Sequence, residues 1–339
     1  MRLNGSFFII LFSYYNIEII KICDKIISKS YILRNKGDLM VYTLTLNPSI
    51  DYVVRLDNLV SGITNRTISE EYHIGGKGIN VSRILAELGI SSTALGFSAG
   101  FVGEAIEKGL NDIGIHADFI RLRSGVSRIN VKIKADCETE INCQGPHIGD
   151  DDFASLLKKT EAIKNGDTIV LAGSIPNSMS DDAYERILQH IERQNVRIVV
   201  DATKNLLLNC LTHRPFLIKP NRQELSEIFN MEISCQKDVE ICAKELMEKG
   251  ARNVIVSLGG DGALLFAEDG KIYRCGILKE KVLNTVGCGD SMVAGFIAGF
   301  EKNHDYSYAL KLGSACGNAT AFSSGLAKRE KIYELLANL

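Results

Sequence analysis

A carboxylate at the mouth of a glycine turn is the feature with the most chemistry in this chain. Residues 284–300 read NTVGCGDSMVAGFIAGF, so Gly287, Cys288 and Gly289 lead directly into Asp290 and an apolar helical pattern. Backbone N–H groups at such a helix start form an anion hole. A carboxylate beside them can take a proton from an attacking hydroxyl while the N–H groups neutralise a transferring phosphoryl group. The plainer reading is that Asp290 is an N-cap. A second glycine loop, Gly75-Gly76-Lys77-Gly78 followed by Asn80, also precedes a helical pattern. It matches neither GxxxxGK[ST] nor GxGxxG. Its glycines allow close backbone approach to a ligand, and Lys77 adds a cation. A tight structural turn explains it equally well.

Three further stretches carry polar chemistry. Arg128 opens a hairpin-like segment, where a guanidinium can clamp phosphate bidentately or simply be solvated. Asn221 and Glu224 follow an apolar strand at capping-box spacing, and Glu224 is also placed to support Mg²⁺ through water. Ser257-Leu258-Gly259-Gly260-Asp261-Gly262 ends another strand, as a phosphate-side loop or as a hairpin turn.

The elements needed to position these residues are legible in outline. From Met40 the pattern is α/β. Val41–Leu46, the segments 52–56 and 67–74, and STALGF (92–97) read as strands, with helices over 79–88 and 103–112. Segments 129–134 and 139–143 read as a hairpin. Apolar strands at 167–174, 196–202, 215–221 and 253–260 then alternate with helices at 181–194, 223–229 and 236–249. This predicts a mainly parallel sheet buried on both faces, with a small extra sheet from about 52–74 and 129–143 serving as a lid. Asp51 lies just past the first strand.

Composition excludes several classes. A net charge of -2 over 339 residues gives no basic field for nucleic acid. The nine cysteines form no CxxC pair, and the six histidines form no HExxH. That pattern fits scattered reduced thiols in a cytoplasmic chain. The apolar run from Phe7 to Phe12 is too short to span a bilayer, so no stable membrane association is expected. Residues 1–39 read as an N-terminal extension, with a packed extra helix or a weak membrane-associating segment as alternatives.

Two signatures, the 75–80 loop and the 284–296 stretch, resemble those of the PfkB (ribokinase-like) carbohydrate kinases, and the resemblance covers nearly all of 40–339. TLTLNPSIDYVVRLDNL, GGKGINVSRILAELGI, STALGFSAGFVGE and SRINVKIKADCETEIN are most similar to the branch acting on fructose 1-phosphate. The resemblance implies a Rossmann-like α/β domain with a β-sheet lid, and ATP and Mg²⁺ as partners. It implies ATP-dependent phosphorylation of the 6-hydroxyl of fructose 1-phosphate, giving fructose 1,6-bisphosphate. By the same likeness Asp51, Gly76 and Asn80 hold the sugar, and Lys77 and Arg128 hold its existing phosphate. Asn221 and Glu224 support Mg²⁺ and the nucleotide phosphates; Ser257, Gly259, Gly260 and Gly262 form the ATP loop; Asn318 lies on the adenine side. Asp290 is the implied base, with Gly287, Cys288 and Gly289 as the anion hole. The family usually has alanine where Cys288 stands. A helix N-terminus can lower a thiol pKa, which makes Cys288 a candidate oxidation-sensitive site. Relatives often pair through the lid, so a homodimer is expected. Tagatose-6-phosphate kinase and 6-phosphofructokinase share this chemistry, and a silent sugar-phosphate-binding regulator is the alternative from another class.

Overall fold

The computed structural model describes residues 40–339, so the expectations for residues 1–39 lie outside the described residues. The chain runs β1 (Val41–Thr45), β2 (Ser49–Arg55), β3 (Ser69–Gly75), α1 (Lys77–Glu87), β4 (Ser92–Ser98), α2 (Gly100–Asp112), β5 (His116–Ala117) and β6 (Ile120–Arg121). It continues β7 (Arg128–Lys134), β8 (Glu138–Asn142), α3 (Asp150–Thr160), β9 (Thr168–Ala172), α4 (Ala183–His190), β10 (Arg197–Asp201), α5 (Lys204–Leu208), β11 (Leu217–Ile218), α6 (Arg222–Phe229) and α7 (Gln236–Glu248). The last elements are β12 (Val254–Ser257), β13 (Ala263–Phe266), β14 (Ile272–Cys275), α8 (Cys288–Asn303), α9 (Tyr306–Ala321) and α10 (Arg329–Asn338).

The large sheet has the order β14-β13-β12-β11-β10-β9-β1-β4-β5, with β6 also pairing to β4. It is parallel from β5 to β12 and antiparallel through β13 and β14. Alternation within strands explains why both faces are covered. Ile169 and Leu171 of β9 join a core with α3, α4, α6 and α7, whereas Val170 between them joins a core with α1, α8, α9 and α10. Neighbours of this kind leave strands apolar throughout, as the sequence pattern anticipates. The chain leaves β1 toward β4 on one side and resumes at β9 on the other. Beyond the carboxyl ends of β1 and β9, this reversal opens the crevice in which open α/β sheets bind ligands.

The second sheet has the order β3-β2-β7-β8, with β2 and β7 parallel. Its two faces differ. Ser49, Asp51, Arg128, Asn130 and Lys132 share one face, because register sets Ser49 opposite Arg128 and Asp51 opposite Asn130. The other face carries a row of Tyr72, Tyr52, Val131 and Ile141, one residue per strand.

Several boundaries differ from expectation. The helix expected over 181–194 is confined to Ala183–His190. The helices α3, α5, α9 and α10 were not anticipated. The Ser257–Gly262 turn does lead into a hairpin, since β12 and β13 pair antiparallel across it.

Candidate active site

The glycine loop before α1 is pressed onto the end of β1. A Cβ on Gly78 would lie 2.6 Å from Thr45 Oγ1 and 2.8 Å from the Leu44 carbonyl oxygen. Gly76 has φ +122, and a Cβ there would lie 2.7 Å from Thr45 Cγ2. Only glycine tolerates this approach. The Ile79 N–H donates to Thr45 Oγ1 at 3.1 Å, which locks the first turn of α1 to the strand. Lys77 and Asn80 are thereby held at the carboxyl end of the sheet.

The helix α8 starts beside them. Its N-cap is Gly287, in the left-handed region at φ 82, and Asp290 sits in its first turn. The N-cap reading of Asp290 is therefore corrected: the cap is the glycine, and the carboxylate lies three residues further in. Asn80 Nδ2 donates to Asp290 Oδ2 at 2.8 Å. Asp290 is only 5% exposed. Burial, then repulsion from Asp201, outweigh Lys77, Asn80 and Lys219 and push its pKa up to about 6.

Asp201, at the end of β10, links the rest of the cluster. Its Oδ2 lies 3.4 Å from Lys77 Nζ and its Oδ1 lies 3.4 Å from Lys219 Nζ. Burial would raise its pKa, but Lys219 and Lys77 outweigh burial and hold it below the usual carboxylate range. For Lys77, burial is outweighed by Asp201, Asp290 and Glu224, so it stays charged. Lys219 also approaches the α8 N-terminus, since a Cβ on Gly289 would lie 2.9 Å from its Nζ. Two ammonium groups and a helix N-terminus thus surround Asp290, an arrangement that accepts phosphoryl charge.

Glu224 joins this cluster through the cap of α6. Its backbone N–H donates to Asn221 Oδ1 at 2.8 Å, and its Oε2 accepts from the Asn221 N–H at 2.8 Å. The capping box is real and leaves Oε1 with no hydrogen bond among the described residues. Asn221 bridges Ser257, where the glycine loop begins. Gly259 has φ +59, and neither Gly259 nor Gly260 has anything within 4 Å of a built Cβ, so this loop borders open space. Gly262, with φ +89, is pressed against the Cys275 carbonyl oxygen. Asn318 is half-buried on α9, next to Gly317, whose built Cβ lies 3.2 Å from the Cys288 carbonyl oxygen.

A separate cluster occupies the polar face of the small sheet. Asp51 Oδ1 accepts from Asn130 Nδ2 at 2.8 Å and from Ser49 Oγ at 3.1 Å. Lys132 Nζ lies 3.6 Å from Asp51 Oδ2. Burial strips hydration from Arg128, against the pull of Asp51, and its Nε is buried without a partner. Gly75 joins the two clusters, for a Cβ there would lie 3.0 Å from Asp51 Oδ1.

The structure therefore gathers Lys77, Asn80, Asp290 and Glu224 in one cluster and Asp51 with Arg128 in another. Lys77 and Arg128, expected to act together, have different charge partners. Asp201, Lys219, Asn130 and Lys132 went unassigned at the sequence level, although Lys219 stands only two residues before Asn221. Cys288 is a correction. Burial, then the neighbouring Asp290, push its thiol up to about 11, opposite to the expected lowering by the helix N-terminus.

A buried carboxylate at a helix start, two cations beside it and a facing polar sheet, on a ribokinase-like α/β fold, define the class of kinases that phosphorylate small hydroxyl-bearing molecules. The chain belongs to the pfkB family of carbohydrate kinases, whose family model matches residues 37–331. It is 45% identical over 297 residues to the 1-phosphofructokinase of Bacillus subtilis, covering 88% of this chain and 97% of that protein. It is 37% identical to the D-tagatose-1-phosphate kinase of Bacillus licheniformis, covering 88% and 98%. The crystal structure of Escherichia coli phosphofructokinase-2 in complex with fructose-6-phosphate superimposes with a TM-score of 0.82 at 27% identity, covering 89% and 99%.

Proposed function

We propose that the protein is an ATP-dependent 1-phosphofructokinase, converting fructose 1-phosphate to fructose 1,6-bisphosphate and ADP. The observation that carries the chemistry is Asp290, buried at the α8 N-terminus, held by Asn80 and pushed up to about 6. The choice of sugar rests on the likeness to the B. subtilis enzyme over nearly its whole length.

In this reading Asp51 grips the sugar hydroxyls on the polar face, with Gly76 and Asn80 completing the pocket. The 6-hydroxyl lies at Asp290, which accepts its proton as O6 bonds to the γ-phosphorus. The bond from that phosphorus to the bridging oxygen of ADP breaks, and ADP leaves. The N–H groups of Gly287, Cys288 and Gly289, with Lys77, meet the charge on the transferring group. Arg128 holds the phosphate already on the sugar. Ser257, Gly259, Gly260 and Gly262 border the nucleotide phosphates, and Asn318 its base. Glu224, with Oε1 free, and Asn221 fit a role in supporting Mg²⁺ through water. Bound Mg²⁺ supplies neutralisation of the nucleotide phosphates.

The small sheet acts as a lid that excludes water, which would otherwise accept the phosphoryl group. A cytoplasmic location, where ATP is supplied, accords with this chemistry. No described helix is long and apolar enough to cross a membrane. The B. licheniformis relative favours one second reading, D-tagatose 1-phosphate as substrate, which differs from fructose 1-phosphate only in configuration at C4. Phosphorus NMR of the product tests the reaction: phosphomonoesters at both C1 and C6 of fructose support it. Failure to phosphorylate fructose 1-phosphate overturns it.

A further inference from the structure

We propose that Lys132 is the second cation of the clamp for the phosphate already present on the substrate, acting with Arg128. The proposal rests on the sugar-phosphate kinase reading above and names a residue that reading leaves unassigned. Its first support is where Lys77 is. Lys77 is bound to Asp201 at 3.4 Å, and its other charge partners are Asp290 and Glu224, so it serves the transferring end of the reaction. Arg128 is then left without a companion cation. A phosphate dianion facing one guanidinium alone would be half neutralised.

Lys132 supplies the missing charge from the right face. Arg128, Asn130 and Lys132 alternate along β7 and point to one side of the sheet. Asp51 is the common neighbour. Its Oδ1 is taken by Asn130, its Oδ2 lies 3.6 Å from Lys132, and its charge also acts on Arg128. Arg128 and Lys132 are separated by about 13 Å of strand, a gap that two long side chains converging on one anion can close.

The ammonium of Lys132 is also under-coordinated. Its side chain is 17% exposed, yet its nearest partners among the described residues are Asp51 at 3.6 Å and Glu140 at 3.7 Å. Both exceed the 2.7–3.2 Å range of a good N–H···O bond. Three donors have been taken largely out of water without a close acceptor. Arg128 Nε is in the same condition. Two cations with unfilled donors on one face, beside the carboxylate that meets the sugar, form a site for a dianion attached to that sugar. When the sugar hydroxyls engage Asp51, Lys132 is released toward the phosphate.

The rival explanation is that Lys132 merely orients Asp51. A substrate cycle separates the two. The ratio of kcat/KM for fructose 1-phosphate to that for fructose is measured for the wild type, Lys132→Met and Lys132→Arg. The clamp predicts that Met lowers the ratio on the order of 10–100-fold, chiefly through the KM for fructose 1-phosphate. It predicts that Arg restores most of it. An equal loss with both sugars, or an unchanged ratio, overturns the assignment. Calorimetric binding of inorganic phosphate, weakened by Met and retained by Arg, carries the same test without turnover. If the wild type itself shows no preference for fructose 1-phosphate over fructose, the substrate reading fails, and phosphate binding alone then decides the role of Lys132.

Discussion

A carboxylate taken out of water keeps its proton to higher pH, and for Asp290 the raised value of about 6 bears directly on turnover. A base works only when ionised. The kcat/KM is therefore predicted to fall as pH drops through about 6, approaching about tenfold per unit, and to level off above it. A flat profile between about pH 5 and pH 7 would contradict the assignment. Asp290→Asn keeps the acceptor for Asn80 but not the base, so kcat should fall by ~10²–10⁴-fold with little change in KM. A nearly intact kcat in steady-state assays would remove Asp290 from the chemistry. The neighbouring Cys288 leads to a different expectation. With its thiol pushed up to about 11, it should resist iodoacetamide at neutral pH, and Cys288→Ala should retain activity, because the anion hole is made by backbone N–H groups. Rapid labelling of Cys288 that ATP blocks would overturn this. At this scale Lys77, Asn80, Glu224 and Asp290 stood out as candidates in separate motifs, and only the fold brings them into one cluster, with Asp51 and Arg128 in another. Asp201 did not stand out, because its ion pairs depend on β10 and β11 lying side by side and on Lys77, at the start of α1, reaching the end of β10. No local pattern encodes that adjacency. The sign of the Cys288 shift was misjudged because burial and an adjacent carboxylate outweigh a helix N-terminus.

Elements differ in how openly they announce themselves. Strand β9 is buried throughout and apolar from Ile169 to Ala172, and it was readily seen, since both its faces are covered. Helix α9 was missed because it lacks an amphipathic stripe: Leu310, Leu312, Ala315, Cys316 and Ala319 are buried around most of its circumference. Helix α3 was missed despite a usable signal, three aspartates in its first turn and two lysines in its last. Small residues let α8 and α9 approach closely, which fixes the start of α8 and so the position of Asp290. A Cβ on Gly295 would lie 2.7 Å from the Leu312 carbonyl oxygen and 2.8 Å from Gly313 Cα. Backbone cannot step aside as a side chain can, so Gly295→Ala must separate the two helices. It is predicted to cost about 1–3 kcal/mol in urea unfolding. Unchanged stability would mean that the helices are not in tight register.

The whole molecule presents one surface that a kinase monomer does not need. Tyr72 is 66% exposed, Ile141 54% and Tyr52 39%, and register places them in one row across the outer face of the small sheet. The strands β3 and β8 also leave open edges there. Pairing of two lids would cover both, and we propose that homodimer as the working form. Sedimentation should give a dimer for the wild type and a monomer for Tyr72→Glu; a wild-type monomer at assay concentration would contradict the proposal. The division into a large parallel sheet and a small lid followed from the change of strand rhythm along the chain. The lid's two chemically different faces emerged only from the register. The central claim, however, concerns which sugar phosphate fits between lid and sheet. Its most direct test is kcat/KM for fructose 1-phosphate, D-tagatose 1-phosphate, fructose 6-phosphate and tagatose 6-phosphate under identical ATP and Mg²⁺. A preference of about 100-fold or more for fructose 1-phosphate, ~2.7 kcal/mol of differential transition-state binding, is the predicted result. An equal or greater kcat/KM for any of the other three would contradict it.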